Sequence, residues 1–394
     1  MTSSMRDRIA IVGMGCTRFG ELWDKSADDL LIEAALDAIA SVPGLRKNDV
    51  DAYWYSTVAS GHAGLPLAKA LKVERPVTRV ENFCASGSDA FRNAAFAVAA
   101  GVYDVAMAVG VEKIKDSGYS GLTLNAPPGD NTATEVSNPA AYAMLPAAYS
   151  RAYGVHPDDV RTALTHIAWR NHANGARNPE RAQYSSIVPK EKIAKAPRIA
   201  GDLSVFDCSG VSDGAAAAII VRAEDAHHYT DKPIYLKGMS LYAGMSDGAA
   251  TAGVAHASFP EVVQCAASAY ADAGITDPRE QLSMAEVHDC FTPTELILME
   301  DLGFSERGRA WRDVLDGDFD LDGTLAVNPD GGLKSFGHPV GASGLRMIFE
   351  LWLQLRGEAG RRQLASPRLG LAHNMGGLPG EFISFVGIFG NELS

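Results

Sequence analysis

Val80-Glu-Asn-Phe-Cys-Ala-Ser-Gly-Ser-Asp-Ala-Phe-Arg-Asn93 sets a cysteine in a sharp turn immediately ahead of an alanine-rich helical run. A helix N-terminus offers free N–H groups and the positive end of its dipole, so the turn predicts a Cys84 thiol of lowered pKa, poised as a nucleophile. Alone, a free cysteine is more often a packing residue. Its significance comes from a second turn, Lys334-Ser-Phe-Gly-His-Pro-Val-Gly-Ala-Ser-Gly344, where Gly341-Ala-Ser-Gly344 echoes Cys84-Ala-Ser-Gly87 and an apolar helix follows both. The opening Ile9-Ala-Ile-Val-Gly-Met14 is likewise echoed by Ile234-Tyr-Leu-Lys-Gly-Met239, each followed by an alanine-rich helix. Two similar halves are implied. The spacing between matched residues grows along the chain, which places insertions in the second half, around 303–328.

Outward from these turns, short apolar runs alternate with helical patterns: Arg8–Val12 before Ser26–Ile39, Val105–Val109 after Ala90–Ala100, and a strand at Asp213–Val221. This alternation predicts an α/β fold. The stretch 112–197 differs, with a polar run at 125–139 and helical pieces at 140–153 and 158–171, and reads as a lid. The expected division is 1–111 with 198–230 as the first half, 112–197 as the lid, and 231–394 as the second half.

Composition fits a large globular enzyme: 394 residues, 46% hydrophobic and 21% charged. A net charge of −13 disfavours nucleic acid as a partner. Local basic segments at 170–181 and 190–198 suit either an anionic small molecule or a solvated face. Five cysteines, an odd and small number, fit a reducing compartment. No apolar run approaches a membrane span, and neither a signal peptide nor a peroxisomal ending is visible, so a cytoplasmic protein without membrane attachment is expected.

If the two turns face each other, neutral His338 can take the proton of Cys84. A third element, Val287-His-Asp-Cys-Phe-Thr-Pro-Thr294, puts His288 at a strand end as an oxygen-binding donor, with Cys290 two residues on as a proton shuttle. Zinc on His288, Cys290 and His373 lacks the paired spacing of ordinary zinc sites, so no metal is expected. A fourth element, Leu371-Ala-His-Asn-Met-Gly-Gly-Leu-Pro-Gly380, reads as a glycine-rich turn between closing strands, with backbone N–H groups able to face an oxyanion. Gly13-x-Gly15 lacks the third glycine of a dinucleotide fingerprint, because Arg18 stands there. Cys16, Cys208 and Cys265 read as packing residues.

Together, Asn82-Phe-Cys-Ala-Ser-Gly87, Gly110-Val-Glu-Lys113, Asp207–Ala218, His288-Asp-Cys-Phe291, Gly337-His-Pro-x-Gly341 and His373-Asn resemble the thiolase superfamily, in its sterol-carrier-protein-type branch. The resemblance implies a five-layer αβαβα sandwich of two pseudo-symmetric halves with an inserted lid. It implies β-ketoacyl-CoA cleavage or synthesis through an acyl-Cys84 intermediate, within lipid metabolism. His338 then acts as base, His288 holds a substrate oxygen and Cys290 is the acid/base. The N–H of Cys84 with one near Met375–Gly376 forms an oxyanion hole, and His373 has a secondary role. No cofactor is expected to be bound permanently, and coenzyme A or acyl-CoA enters as substrate. A homodimer through the first half's edge, and a separate small zinc-ribbon/OB-fold partner protein, are also implied. The alternatives are a thiolase-fold aldolase acting on a β-hydroxyacyl-CoA with a small partner, and a non-catalytic acyl-CoA-binding subunit.

Overall fold

The computed structural model describes residues 4–115, 137–244 and 256–393. The first half runs through β1 (Ile9–Cys16), α1 (Ala27–Ala40), β2 (Ala52–Ser56), α2 (Leu65–Leu71), β3 (Val77–Val80), α3 (Ser86–Ala99) and β4 (Val105–Glu112). An excursion then carries α4 (Asn138–Tyr142), α5 (Leu145–Tyr153), α6 (Pro157–Gly175), α7 (Lys190–Ala194), β5 (Arg198–Ala200) and β6 (Leu203–Ser204) before β7 (Gly214–Arg222). The second half contains β8 (Ile234–Ala243), α8 (Pro260–Ala273), α9 (Pro278–Gln281), β9 (Met284–Glu286), α10 (Thr292–Asp301), α11 (Ala310–Asp316) and β10 (Ala326–Val327). It closes with α12 (Gly332–Ser335), α13 (Ser343–Arg356), β11 (Leu369–Leu378) and β12 (Glu381–Gly390).

The strand order is β10-β9-β11-β12-β8-β1-β7-β4-β2-β3, joined at the antiparallel β1–β8 pair. Outward from that junction the halves match strand for strand: β1 with β8, β7 with β12, β4 with β11, β2 with β9, β3 with β10. The pairing sense repeats as well, antiparallel for β4–β7 and β11–β12, parallel for β2–β4 and β9–β11. In the second half β11 turns directly into β12, with Leu378 opposite Glu381. The first half inserts the whole excursion at the equivalent place, between Glu112 and Gly214. Asp213 buckles its two ends, accepting from Lys113 Nζ at 2.8 Å and from the N–H groups of Ile114 and Lys115.

Alternation along β1 builds the layers. Ile9 and Ile11 enter the central core, whereas Ala10 and Val12 pack with Leu30, Ala34 and Ala38 of α1 on the outer side. A β-carbon on Gly15 would lie 2.2 Å from Ala34 O, and one on Gly13 2.8 Å from Ala38 O. Gly-x-Gly here lets α1 lie close against the strand. Ser26 caps α1 with a reciprocal Asp29 bond. Helices α3 and α13 lie against each other between the halves, and α13 touches strands of both. Twelve of the fourteen residues of α13 are buried, as a central layer requires. With α1 and α2 outside one half and α8 outside the other, the molecule has five layers.

Two local expectations change. The helical stretch 140–153 divides into α4 and α5, with Pro146 in the first turn of α5. The glycine-rich stretch 371–380 is strand as far as Leu378, so the turn is confined to Pro379 and Gly380. Of the polar run at 125–139, positions 125–136 lie outside the described residues.

Candidate active site

The two Ala-Ser-Gly turns meet at their glycines. A β-carbon on Gly87 would lie 3.0 Å from Gly341 O, and one on Gly344 2.5 Å from Ser88 N. Only glycine allows the starts of α3 and α13 to approach this closely, and the approach carries Cys84 and His338 to one place. Cys84 Sγ and a ring nitrogen of each of His288 and His338 all lie within 4.8 Å of one another.

The nucleophile turn is held by its own helix. Asn82 N–H donates to Ser86 Oγ at 2.8 Å, Asn82 Nδ2 donates to Asp89 Oδ2 at 2.6 Å, and Phe83 takes a left-handed backbone with φ of +50°. From the other side, a β-carbon on Gly376 would lie 2.7 Å from both Asn82 O and Cys84 N. Gly376 therefore lies directly against the turn, beside a Cys84 N–H that donates to no other described residue. This is where an oxyanion hole of Cys84 and Gly376 would sit; the adjoining Met375 is buried in β11.

His338 is placed by three elements. Its N–H lies 3.0 Å from Ser212 Oγ, and Ser343 Oγ lies 2.7 Å from His338 Nδ1. Ser343 gives its own hydrogen to Pro339 O at 2.9 Å. It must then accept from Nδ1–H, which leaves Nε2 as a proton acceptor. The Glu112 carboxylate ties this turn to the first half, accepting from Gly341 N–H at 3.0 Å and from Thr57, Val58, Ala59 and Ser60.

His288 has the opposite setting. Ser88 Oγ donates to Asn374 Oδ1 at 3.1 Å, so the Asn374 amide presents Nδ2, which lies 3.0 Å from His288 Nδ1. Nδ1 accepts, and Nε2 carries the proton. Beneath the turn, Asp289 accepts from the N–H groups of Leu333 and Lys334 at 2.6 and 3.0 Å and from Asn171 Nδ2 at 2.9 Å. Arg170 pairs with buried Glu295. Arg170, Asn171 and His172 thus face inward, so a solvated basic face does not describe them.

Burial sets the protonation states. It pushes the Cys84 thiol up to about 12, with the Glu112 carboxylate adding to the shift. The lowered thiol pKa expected from the helix N-terminus is corrected to a raised one, with burial as its main cause. Burial lowers His338 to about 3, assisted by the Arg346 guanidinium. It also holds His288 well below the usual imidazole value, and Cys290 well above the usual thiol value. The resting site is a neutral thiol facing two neutral imidazoles.

Cys290 is buried, 3.9 Å from Thr294 Oγ1, and Ser209 N–H donates to its carbonyl at 2.9 Å. His373 is separated from this group. It alternates with Asn374 on β11, its Nε2 is 3.3 Å from Ser384 Oγ, and its Nδ1 has no partner. The compact group of possible metal ligands among the described residues is Cys84, His288 and His338, rather than the trio containing His373. In that group Nδ1 of each histidine is already engaged.

Sequence reasoning missed Asn374 as the residue that fixes His288, and missed Tyr142. The Tyr142 ring stacks on Phe291 with centroids 4.5 Å apart, and its hydroxyl donates to Gly377 O at 3.1 Å. Nothing in Asn138-Pro-Ala-Ala-Tyr142 marks it locally; only the fold brings it to this wall.

Comparison with known proteins agrees with this architecture. Residues 9–202 match the thiolase N-terminal domain model, and 245–386 the thiolase C-terminal domain-like model. The chain is 37% identical to an acetyl-CoA acetyltransferase of Methanothermobacter thermautotrophicus, an alignment covering 95% of this chain and 98% of that protein. It belongs to the thiolase family. Sterol carrier protein 2 of Bos taurus is 30% identical over 95% of this chain and 71% of that protein, which supports the sterol-carrier-protein-type branch. Among solved structures, the Ltp2-ChsH2(DUF35) aldolase superposes with a TM-score of 0.83 at 25% identity, with full coverage of both chains. An acetyl-CoA acetyltransferase from Syntrophomonas wolfei has a TM-score of 0.71 at 20% identity, covering 98% of this chain and all of that one. No helix among the described residues is long and apolar enough to cross a membrane.

Proposed function

We propose that this thiolase-family chain is an acyl-CoA C-acyltransferase that cleaves or forms β-ketoacyl-CoA through an acyl-Cys84 intermediate. The observation that carries the reading is the convergence of Cys84, His288 and His338, with opposite tautomers fixed on the two histidines. In the cleavage direction, Cys84 Sγ attacks the β-carbonyl carbon as His338 Nε2 takes the thiol proton. The Cα–Cβ bond then breaks, leaving the acyl group on Sγ and the electron pair on an acetyl-CoA enolate. Cys290 gives its proton to that α-carbon. A second coenzyme A attacks the thioester and restores Cys84. His288 Nε2–H and the N–H groups of Cys84 and Gly376 are the donors for the developing oxyanions, each worth roughly 3–4 kcal/mol. Because the thiol is held neutral, its proton leaves during attack rather than before it.

Tyr142, closing the wall formed by Phe291 and Gly377, supports a short acyl group as substrate. A homodimer through edge strand β3 is supported by the exposed Phe83 and Leu65 nearby. The aldolase likeness supports a second reading, β-hydroxyacyl-CoA cleavage with a small partner protein. Cys84 beside an imidazole base favours the first. Assay of the purified chain separates them: coenzyme A-dependent thiolysis of acetoacetyl-CoA is expected. Cleavage of a β-hydroxyacyl-CoA without thiolysis would replace the thiolase reading.

A further inference from the structure

Cys84, His288 and His338 have a property that acyl transfer does not require: their sulfur and imidazole nitrogens are the donor types that zinc-class ions take, and the three atoms lie within 4.8 Å of one another. Cys84 and His338 are partly open to solvent, so an ion can reach them, whereas His288 is buried. A tetrahedral zinc ion with bonds of about 2.0–2.3 Å sets its ligand atoms roughly 3.3–3.8 Å apart. The three donors therefore need to close by no more than about 1.5 Å.

Ligation also needs a free lone pair on each donor, and in this the two histidines differ. Nδ1 of both rings is engaged, which leaves Nε2 for an ion. On His338 the bond to Ser343 puts the proton on Nδ1, so Nε2 presents its lone pair. On His288 the order is reversed. Ser88 Oγ donates to Asn374 Oδ1 at 3.1 Å, Asn374 Nδ2 donates to His288 Nδ1 at 3.0 Å, and the proton stands on Nε2, where a metal would bind. A metal-bound histidine almost always gives its other ring N–H to a carboxylate, a carbonyl or water. Asn374 offers His288 a donor instead. The hydrogen bond that makes His288 an oxyanion donor thus takes it out of a ligand set.

We propose that Cys84, His288 and His338 form a binding site for a zinc-class divalent cation that Asn374 keeps one ligand short. In the native chain the ion is held by the Cys84 sulfur, which releases its proton to solvent as the sulfur–metal bond forms, and by His338 Nε2, with water in the remaining positions. Two protein ligands hold the ion weakly and reversibly, and while bound it blocks the nucleophile. The ligand set is the same whether the reaction is thiolysis or aldol cleavage.

Zinc ion is the probe, and protection of Cys84 from iodoacetamide, read by peptide-resolved mass spectrometry on the full chain, reports its binding. Asn374→Asp puts a carboxylate opposite His288 Nδ1, which frees Nε2 and completes the site. The zinc concentration giving half-protection should fall about 10–100-fold, the usual weight of such a partner in metal affinity. The double variant Asn374→Asp/His288→Gln keeps the added charge but lacks the third ligand, so its half-protection should return to the native value. With Asn374 in place, His338→Gln should abolish zinc protection and His288→Gln should leave it at the native concentration, a pair that decides the matter if Asn374→Asp fails to fold. Absence of zinc protection in the native chain would overturn the proposal, as would equal half-protection in native and folded Asn374→Asp chains. A gain that persists in the double variant, or equal dependence on both histidines in the native chain, would overturn it as well.

Discussion

His288 and His338 meet edge to face, ring centroids 5.3 Å apart at 83°, with opposite tautomers: Asn374 makes His288 a donor at Nε2, and Ser343 makes His338 an acceptor there. Two chemically identical side chains are thereby given different tasks by one hydrogen bond each. The claim is directly open to substitution.

Asn374→Asp keeps the shape but replaces the donor on His288 Nδ1 with an acceptor, which draws the ring proton to Nδ1 and strips Nε2 of its hydrogen. The kcat for thiolysis should fall about 10²–10³-fold with little change in Tm, the loss typical of one oxyanion donor. Near-normal kcat in the folded variant would show that His288 does not bind a developing oxyanion.

Ser343→Ala removes the partner that orients His338. The expected loss is roughly tenfold in kcat, about the value of one hydrogen bond, with KM little altered and partial recovery in Ser343→Thr. A lowered Tm at unchanged kcat would instead make the serine a helix-start residue only.

The sign of the Cys84 shift fixes a spectroscopic outcome. Because burial raises the thiol, the thiolate absorbance in wild type minus Cys84→Ser should be absent at neutral pH and grow only above the ordinary thiol midpoint of about 8.5. His338, lowered to about 3, should stay neutral across pH 5–8 and produce no acid limb there. A thiolate signal complete by pH 7 would mean that the dipole of α3 outweighs desolvation.

Tyr142→Ala should move the preference from acetoacetyl-CoA toward longer β-ketoacyl-CoA substrates, read as the ratio of kcat/KM values. One methylene is typically worth about 1–3 kcal/mol of discrimination. An unchanged ratio would take Tyr142 off the acyl wall.

Much of this arrangement is legible in the sequence because it is written twice. The echo of Cys84–Gly87 in Gly341–Gly344, and of Ile9–Met14 in Ile234–Met239, gives the two halves and the meeting of Cys84 with His338. Gly376 is legible as a special position, but its reason is not: it looks like part of a turn and is a strand residue cleared of a side chain so that the Cys84 turn fits. Choosing between His373 and Asn374 requires the register of β11, since a shift of one residue exchanges the two faces. The local motif around Cys84 does not give the thiol's pKa, because desolvation depends on elements distant in sequence. Tyr142 is illegible for the same reason.

Cys290 is tested by separating half-reactions. Cys290→Ala should still accept an acyl group on Cys84 from a simple acyl-CoA, yet fail to exchange the α-protons of acetyl-CoA with solvent deuterium. Exchange near the wild-type rate in the folded variant would remove Cys290 from proton transfer.

The central claim is the covalent intermediate on Cys84, and peptide-resolved mass spectrometry after brief incubation with acetoacetyl-CoA in the absence of free coenzyme A tests it most directly. The account predicts an acetyl adduct on the peptide containing Cys84, discharged by added coenzyme A and absent in Cys84→Ser. An adduct on another peptide, or thiolysis at an undiminished rate by Cys84→Ser, would contradict it.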